Sequence, residues 1–403
     1  MTARSLLATA LASLLAACGS SSSSNPTLTT ARMNVHLVDS PATDYSAVTL
    51  SVKSVEIASD SGWITLGTDI GTVNLLDLQN GVFKTLALGA ELPPGHYGQM
   101  RLILGTPNTV TLANKVTTVP LTVPSGMQTG VKFPVSFDLQ AGTTYDIFID
   151  ILANKSVFVH QAGRSNKYML RPVVRAYDKM MTGSISGTLT NAGAAAGTPN
   201  GLGGVEVIAQ TVGTDGQPTF AASTTTNPDG TYRLGLLPVD KTYHVASLPV
   251  VSVQYADTTT SYAPKASVAI PINASTPTGT WSESFTAIDL AKTGSVSGAI
   301  APPPAVAVGD TAEARLPVAA GTGGALTKLI VRTTSGVVTT DVSGNPVSES
   351  YSFAYLFPSP DYRFAAERIV KDSVTGVEKT IVSKETAQAV PEGGSVTADI
   401  TFP

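Results

Sequence analysis

Cysteine is almost absent from this sequence, since Cys18 is the only one among 403 residues. A single thiol can form neither an intramolecular disulfide nor a cysteine zinc site, so the folded part must be stabilised by hydrophobic cores. Charge is also sparse, because 13% of the residues are charged and the net charge is −4. The basic residues are scattered along the chain, which excludes the electrostatic footprint of a nucleic-acid-binding protein.

Catalytic motifs are lacking as well. The sequence contains no phosphate-binding loop, no HExxH zinc pair, no Gly-x-Ser-x-Gly elbow and no EF-hand loop. The four histidines are far apart in sequence, and each is expected to be a surface or edge residue rather than a ligand of one shared metal. The sequence therefore predicts a protein that is not an enzyme, with no catalytic residue and no cofactor apart from a weak Ca²⁺ candidate.

An apolar segment that ends on the cysteine opens the chain. Arg4 supplies a positive charge, and residues 6–17 are long enough for a secretory signal and too short to span a bilayer. Leu15-Ala-Ala-Cys18 has the small residues that a lipoprotein signal peptidase accepts. We predict cleavage between Ala17 and Cys18 and lipid attachment, with acyl chains such as palmitate, to Cys18. An ordinary secretory signal with an incidental cysteine is the alternative.

A tether follows the predicted lipid. It spans residues 18–31, in which residues 19–30 are Gly, Ser, Asn, Pro and Thr with one leucine, and these twelve residues behave as a flexible spacer with a reach of roughly 20 Å. No aspartate follows Cys18 directly, because Gly19 and Ser20 occupy these positions. This predicts an exported protein that is lipid-anchored to the cell envelope, at the outer membrane if the source has one.

The remainder of the chain favours an all-β fold. Thr, Ser, Val, Gly and Pro abound, which is typical of short strands joined by turns. Apolar residues alternate with polar ones at period two, for example at Val35 and Leu37. Further strands are predicted at residues 99–104, 131–139, 145–152 and 168–177, and a short helix only within residues 73–88.

A repeat divides the second half of the chain. Thr182-Gly-Ser-Ile-Ser-Gly187 recurs as Thr293-Gly-Ser-Val-Ser-Gly298, and a tyrosine-containing strand follows each copy, at Tyr232 and Tyr351. This predicts three tandem β-sandwich domains behind the signal peptide and tether. The predicted segments are the signal peptide at 1–17, the tether at 18–31 and the three domains at 32–178, 182–290 and 293–403.

The first domain resembles the bacterial lipoprotein domain of unknown function 4382. The motifs that carry the resemblance are Leu37-Val-Asp-Ser-Pro41, Leu75-Leu-Asp-Leu-Gln-Asn-Gly81, Leu92-Pro-Pro-Gly-His-Tyr97 and Leu170-Arg-Pro-Val-Val174. The resemblance implies a lipid-anchored, exported β-domain. It supplies no catalytic residues to carry over.

The second domain resembles the carboxypeptidase-regulatory or Cna-B type β-sandwich. Asn227-Pro-Asp-Gly-Thr-Tyr232, Leu237-Pro238 and Tyr243 carry this resemblance. Residues 293–403 form a more divergent copy that lacks the Asn-Pro-Asp-Gly turn. Because each domain has a Leu-Pro or Phe-Pro pair followed by a tyrosine, all three are expected to share a prealbumin-like or Ig-like plan.

Four aspartates are weak candidates for a Ca²⁺ site. Period two places Asp146 and Asp150 on the face of their strand that points away from the core, about 13 Å apart. Each can join a separate cluster with Asp39 or Asp44 from the loop after the first strand, since Ca²⁺ accepts such oxygen ligands. The alternative, which the pattern favours, is a solvated acidic face without a metal.

The leading functional hypothesis is a non-enzymatic, lipid-anchored protein of the cell envelope whose β-domains serve as a stalk and interaction surface. The alternative is a carbohydrate- or peptidoglycan-binding accessory lipoprotein, with Trp63 and Trp281 as stacking platforms for sugars. A hydrolase with dispersed carboxylates is less favoured. The expected partners are the membrane, through the N-terminal lipid, and a glycan or an envelope protein.

Overall fold

The computed structural model of the chain is almost entirely β, which confirms the predicted all-β class. In the part that it describes, no helix has the length and apolar character needed to cross a membrane. The described residues are 29–40, 45–112, 116–123, 129–162, 165–197, 200–249, 260–305, 309–319, 325–371 and 378–403.

The first region, residues 31–178, contains two sheets that enclose one hydrophobic core. A turn of 3₁₀ helix at Leu75–Asp77 stands where a short helix is predicted, and α1 is Ala153–Ser156. The strands are β1 Ala31–Ser40, β2 Tyr45–Ser59, β3 Gly62–Asn74, β4 Lys84–Leu92, β5 Gly95–Leu104, β6 Thr109–Leu112, β7 Thr118–Thr122, β8 Val131–Leu139, β9 Thr144–Leu152, β10 Val157–Ala162, β11 Ser165–Leu170 and β12 Val174–Asp178.

A bulge keeps the apolar residues of the long strand β2 inside. Val48, Leu50 and Val52 are buried at period two, and the register with β3 then shifts between Val52 and Ser54. The extra residue turns Val55 and Ile57 back toward the core. In the other sheet, β1 lies between β4, its antiparallel neighbour, and β9, its parallel neighbour.

The second region, residues 182–289, and the third region, residues 294–402, follow one after the other. Turns of 3₁₀ helix at Lys179–Met181 and Leu290–Lys292 precede them. The strands of the second region are β13 Thr182–Asn191, β14 Glu206–Val212, β15 Pro218–Thr225, β16 Thr231–Pro238, β17 Lys241–Ser247, β18 Thr260–Tyr262, β19 Lys265–Ala266, β20 Ile270–Ile272, β21 Thr278–Thr280, β22 Glu283–Phe285 and β23 Ala287–Asp289. Those of the third region are β24 Gly294–Ala301, β25 Thr311–Ala319, β26 Leu326–Ser335, β27 Val337–Thr340, β28 Pro346–Leu356, β29 Arg363–Lys371, β30 Glu378–Val382, β31 Thr386–Ala387, β32 Ser395–Thr397 and β33 Ile400–Thr401.

The sequence repeat corresponds to a repeat of structure. β13 pairs antiparallel with β16 and parallel with β21, and β24 pairs in the same way with β28 and β32. The matched tyrosines make the same bond, because the hydroxyls of Tyr232 and Tyr351 donate to the backbone carbonyls of Trp281 and Ala398, each at 2.6 Å. The predicted repeat is confirmed, while the domain boundaries stay predictions.

The three regions are joined to one another by shared strands and cores. β10 of the first region pairs in parallel with β27 of the third, so both belong to one thirteen-stranded sheet. A small buried cluster takes Leu152 from the first region, Ile208 and Phe220 from the second and Ile330 from the third. The regions therefore contact one another as one body.

A buried glutamine connects the second region with the third. Gln210 lies on β14 next to a bulge, and its side chain is fully buried. Its amide nitrogen donates to the carbonyl oxygen of Ile330 at 3.0 Å, and its amide oxygen accepts from the backbone N–H of Ile330 at 2.7 Å. Within the described residues β26 has one strand neighbour, β25, so the glutamine amide satisfies backbone groups at its open edge.

Candidate functional site

A cavity of about 400 Å³ lies between the first and second regions. Strand β9 supplies Phe148 and Asp150 to its wall, and β15 supplies Ser223. The remaining polar wall comes from Lys179, at the start of the turn between the two regions, and from Arg233 on β16. We refer to this cavity as the cleft.

Asp150 is the buried carboxylate of the cleft. It is 6% exposed, and its Oδ1 accepts no hydrogen bond from a described residue. Its cross-strand neighbour on β12 is Arg175. Burial raises the pKa of Asp150 from 3.8 to about 6, while the positive charge of Arg175 opposes the rise. The carboxylate therefore retains an acceptor without a partner at the cleft wall.

Ser223 is the second buried polar group of the cleft without a partner. Its side chain is 5% exposed, and its Oγ forms no hydrogen bond with a described residue. Buried polar groups in folded proteins are nearly always hydrogen-bonded, so two unpaired polar atoms that line one cavity point to a binding surface. A ligand that enters the cleft can donate to Asp150 and bond to Ser223.

Two cations border the same cavity. Lys179 and Arg233 are both exposed, and neither forms an ion pair with a described residue. Arg233 is held in place by a hydrogen bond from its Nη2 to the Oγ of Ser184 at 3.1 Å. The cleft thus combines one buried carboxylate with two cations that are free to contact a ligand.

Aromatic rings pack at the end of the cleft formed by the first region. The rings of His36 and Phe83 lie 4.7 Å apart, those of His36 and Phe148 4.9 Å apart and those of Phe83 and Phe148 5.6 Å apart. Phe83 is 47% exposed, and it lines the cleft together with Phe148. Burial lowers the pKa of His36, and Asp146 opposes this effect. The ring cluster gives the cleft an apolar end.

Asn80 fixes the two walls of the cleft relative to one another. It adopts a positive φ of 56° in the Asn-Gly turn before β4. Its amide nitrogen donates to the carbonyl oxygen of Thr225 at 3.0 Å. Its amide oxygen accepts from the Oγ1 of Thr224 at 3.1 Å and from the backbone N–H of Arg233 at 3.0 Å. One side chain of the first region thereby bonds to two strands of the second.

The predicted lipidation and calcium residues fall partly outside the described residues. Cys18, Ala17 and Asp44 lie there, and the lipid attachment remains a prediction. The backbone of Asp39 pairs with Ile151 in the parallel ladder between β1 and β9, but its side chain is also outside the described part.

The two aspartates of β9 have different surroundings. Asp146 is half-buried, and its Oδ1 accepts from the Nδ2 of Asn34 at 2.8 Å and lies 3.8 Å from the Nε2 of His36. Asp150 instead lines the cleft and has Arg175 of β12 as its cross-strand neighbour. Among the described residues no group of three or more His, Cys, Asp or Glu side chains could hold a metal ion.

The expected solvated face of β9 and the expected surface position of His36 need correction. Phe148 is buried against the rings of His36 and Phe83, and Asp150 is buried at the cavity that residues of the second region also line. His36, expected at the surface, is also buried beneath Phe83. Both errors have one cause. The alternation of side chains along a strand shows which residues share a face, but it does not show whether another part of the chain covers the face opposite the core.

Neither tryptophan presents a free stacking platform. Trp281 is buried in the core of the second region beside Tyr232 and Phe285. The guanidinium of Arg101 lies 4.1 Å from the ring centroid of Trp63 and covers that ring. Packing, which is the ordinary role of such residues, accounts for both.

A second, wider groove of about 890 Å³ lies between the first and third regions. Its walls are rich in serine and threonine, with Tyr45 and Tyr168 at one side. None of its described lining side chains belongs to the buried polar groups that lack a partner. The groove therefore shows less sign of a built binding site than the cleft does.

Sequence reasoning selected Asp150 but missed the other polar residues of the cleft. Lys179, Arg233 and Ser223 belong to no motif, and they converge only because the first two regions pack together. The Asn80-Gly81 pair in the first region's motif is the single local signal, because it builds the turn that bonds to the opposite wall.

Comparison with known proteins supports the assignment of the first region. Residues 30–172 match the family model described as domain of unknown function (DUF4382), so the chain contains such a domain, as its motifs predict. None of the curated proteins matches this sequence.

Two solved structures illustrate the remote structural matches. One is GBS52, the minor pilin of Streptococcus agalactiae, with 12% identity, a TM-score of 0.15 and coverage of 55% of this chain and 97% of the other. Another is the fimbrial anchor protein Mfa2 of Porphyromonas gingivalis, with 12% identity, a TM-score of 0.17 and coverage of 49% and 81%.

Proposed function

We propose that this chain is a lipid-anchored protein of the bacterial cell envelope that binds a partner in the cleft between its first two regions and catalyses no reaction. The cleft carries the binding part of the proposal, because one cavity is lined by Asp150, whose Oδ1 accepts no hydrogen bond, and by two cations that form no ion pair with a described residue. The sequence around Cys18 supports the anchor, and the absence of an aspartate directly after it supports delivery to the outer membrane.

The chemistry of the cleft favours binding over catalysis. Asp150 is the one carboxylate among its described lining residues, whereas glycoside hydrolysis uses a pair of them. Ser223 has no hydrogen-bonded base among the described residues that would activate it as a nucleophile. A hydrolase with dispersed carboxylates is thus the least supported of the three hypotheses.

The contacts between the regions support a rigid binding body above the tether. Gln210, Asn80 and the pairing of β10 with β27 hold the regions together without any ligand. A site whose walls are already fixed loses less conformational entropy when a ligand binds. The three regions thus serve together as stalk and interaction surface. Residues 182–290 and 293–403 are the carboxypeptidase-regulatory-like sandwiches of this body. The alternative of a carbohydrate- or peptidoglycan-binding accessory lipoprotein differs only in naming the ligand.

The anchor is tested by replacing the lipid attachment residue. We expect the wild-type chain, expressed in a bacterium with two membranes, to enter the detergent phase and the outer-membrane fraction. Cys18→Ala is expected to lose both properties, because two or more acyl chains are required for stable anchoring. Ser21→Ala, in the tether, is the matched control and should behave as the wild type. Retention of the Cys18→Ala chain in the membrane fraction would refute the anchor.

A further inference from the structure

We propose that the cleft binds a small hydroxylated carboxylate of the class of acidic sugars. The inference rests on the proposed function, because it names the ligand of the same cleft. Four observations lead to it: the size of the cleft, its two buried polar groups, its two cations and its aromatic end.

The size of the cleft selects a small molecule or the end of a longer chain. Ligand sites generally occupy about 300–1,000 Å³. The cleft, with about 400 Å³, lies near the lower end of this range. A folded partner segment does not fit in such a volume, whereas one or two sugar rings do.

The buried polar groups require hydroxyl donors. Oδ1 of Asp150 can only accept a hydrogen bond when the carboxylate is ionised, and Oγ of Ser223 can donate or accept. Because Arg175 already faces Asp150 across the strands, the carboxylate has a compensating cation. A neutral hydroxyl therefore suits this position better than an ammonium group does.

The two cations at the cleft select an acidic ligand. Lys179 and Arg233 lack ion-pair partners among the described residues, and together they outnumber the one carboxylate that lines the cavity. A guanidinium binds a carboxylate through two parallel hydrogen bonds, and such charge-assisted bonds are stronger than neutral ones. A carboxylate on the sugar thus accounts for the cations, and its hydroxyls account for Asp150 and Ser223.

The aromatic end of the cleft suits the apolar face of a sugar ring. Phe83 and Phe148 line the cavity, and Phe83 is half-exposed. A pyranose presents C–H groups on one face, and aromatic rings pack against such surfaces while hydroxyls and carboxylate reach the polar wall.

Isothermal titration calorimetry of the lipidated chain in detergent tests the proposal, with sodium glucuronate as the acidic probe. Glucose has the same ring without the carboxylate, and alanine combines an ammonium with a carboxylate. We expect saturable binding of glucuronate, at least tenfold weaker binding of glucose and no measurable binding of alanine. Absence of saturable glucuronate binding, or equal affinity for glucose or alanine, would overturn the proposal.

Three variants locate the binding. Arg233→Gln keeps a polar side chain without the charge and should weaken glucuronate binding at least tenfold while leaving glucose unaffected. Asp150→Asn should weaken the binding of both glucuronate and glucose. Asp138→Asn, at an 83% exposed side chain on β8, is the matched control and should change neither. Equal affinities in all three variants would place any binding outside the cleft. Because the anchor is tested by membrane fractionation, failure here leaves that part of the proposed function standing.

Discussion

Replacement of Asp150 by asparagine should change how stability depends on pH. Burial raises the pKa of the folded state from 3.8 to about 6, so the folded protein holds this proton more tightly than the unfolded chain does. The contribution of Asp150 to the stability of the wild type is accordingly greatest at a pH below 3.8, falls as the pH rises to about 6, and stays level above it. The difference between the two pKa values corresponds to about 3 kcal/mol.

Urea unfolding between about pH 4 and pH 8 measures this effect. Buried Trp281 provides a fluorescence signal, and circular dichroism follows the strands. Since asparagine does not titrate, the free energy of unfolding of Asp150→Asn, relative to the wild type, should increase by about 2.5 kcal/mol between these limits, because the rest of the effect lies below pH 4.

If the free energy of unfolding changed with pH in the same way for the wild type and Asp150→Asn, the raised pKa of Asp150 would be contradicted. Such a result would mean that the carboxylate of Asp150 is solvated or fully paired in solution, and that the cleft wall is not as dry as its burial indicates. The expected gain in stability of Asp150→Asn above pH 6 is consistent with a binding role for Asp150, since proteins retain destabilising groups where function requires them.

Two further predictions concern the contact between the second and third regions and the matched tyrosines of the repeat. Gln210→Ala leaves the backbone N–H and carbonyl of Ile330 buried without partners, so the free energy of unfolding should fall by about 2–4 kcal/mol in urea titrations. A loss below about 0.5 kcal/mol would contradict this role. Tyr232→Phe and Tyr351→Phe each remove one buried hydrogen bond, and calorimetric melts should show matching losses of about 1–2 kcal/mol. A loss in only one variant would argue against equivalent roles for the two tyrosines.

Local pattern was sufficient to find most strands of the first region. The strand predicted at 145–152 is observed as Thr144–Leu152, and that predicted at 131–139 has the same bounds in the structure. The strand predicted at 168–177 is instead two, β11 and β12, separated by residues 171–173. Pro172 lies in this break, and proline cannot donate a ladder hydrogen bond.

The cleft was not predictable from local pattern, because it depends on packing between regions. The repeat of Gly187 and Gly298 predicted two related units, and the carbonyls of Trp281 and Ala398 approach these glycines so closely that a side chain has no room. The repeat carries no information on how the units contact the first region. Asp150 could therefore be identified as a candidate, but its convergence with Arg233 and Lys179 on one cavity could not.

The arrangement of the first and second regions as one body is tested most directly by a distance between them. Because Cys18 is the only cysteine, a Cys18→Ala chain carrying Asp60→Cys and Lys241→Cys takes spin labels at these two exposed positions alone. Electron–electron double resonance should then give a single distance distribution, no wider than the labels themselves produce. A broad distribution, as expected for domains on a flexible linker, would contradict the joined arrangement and with it the cleft.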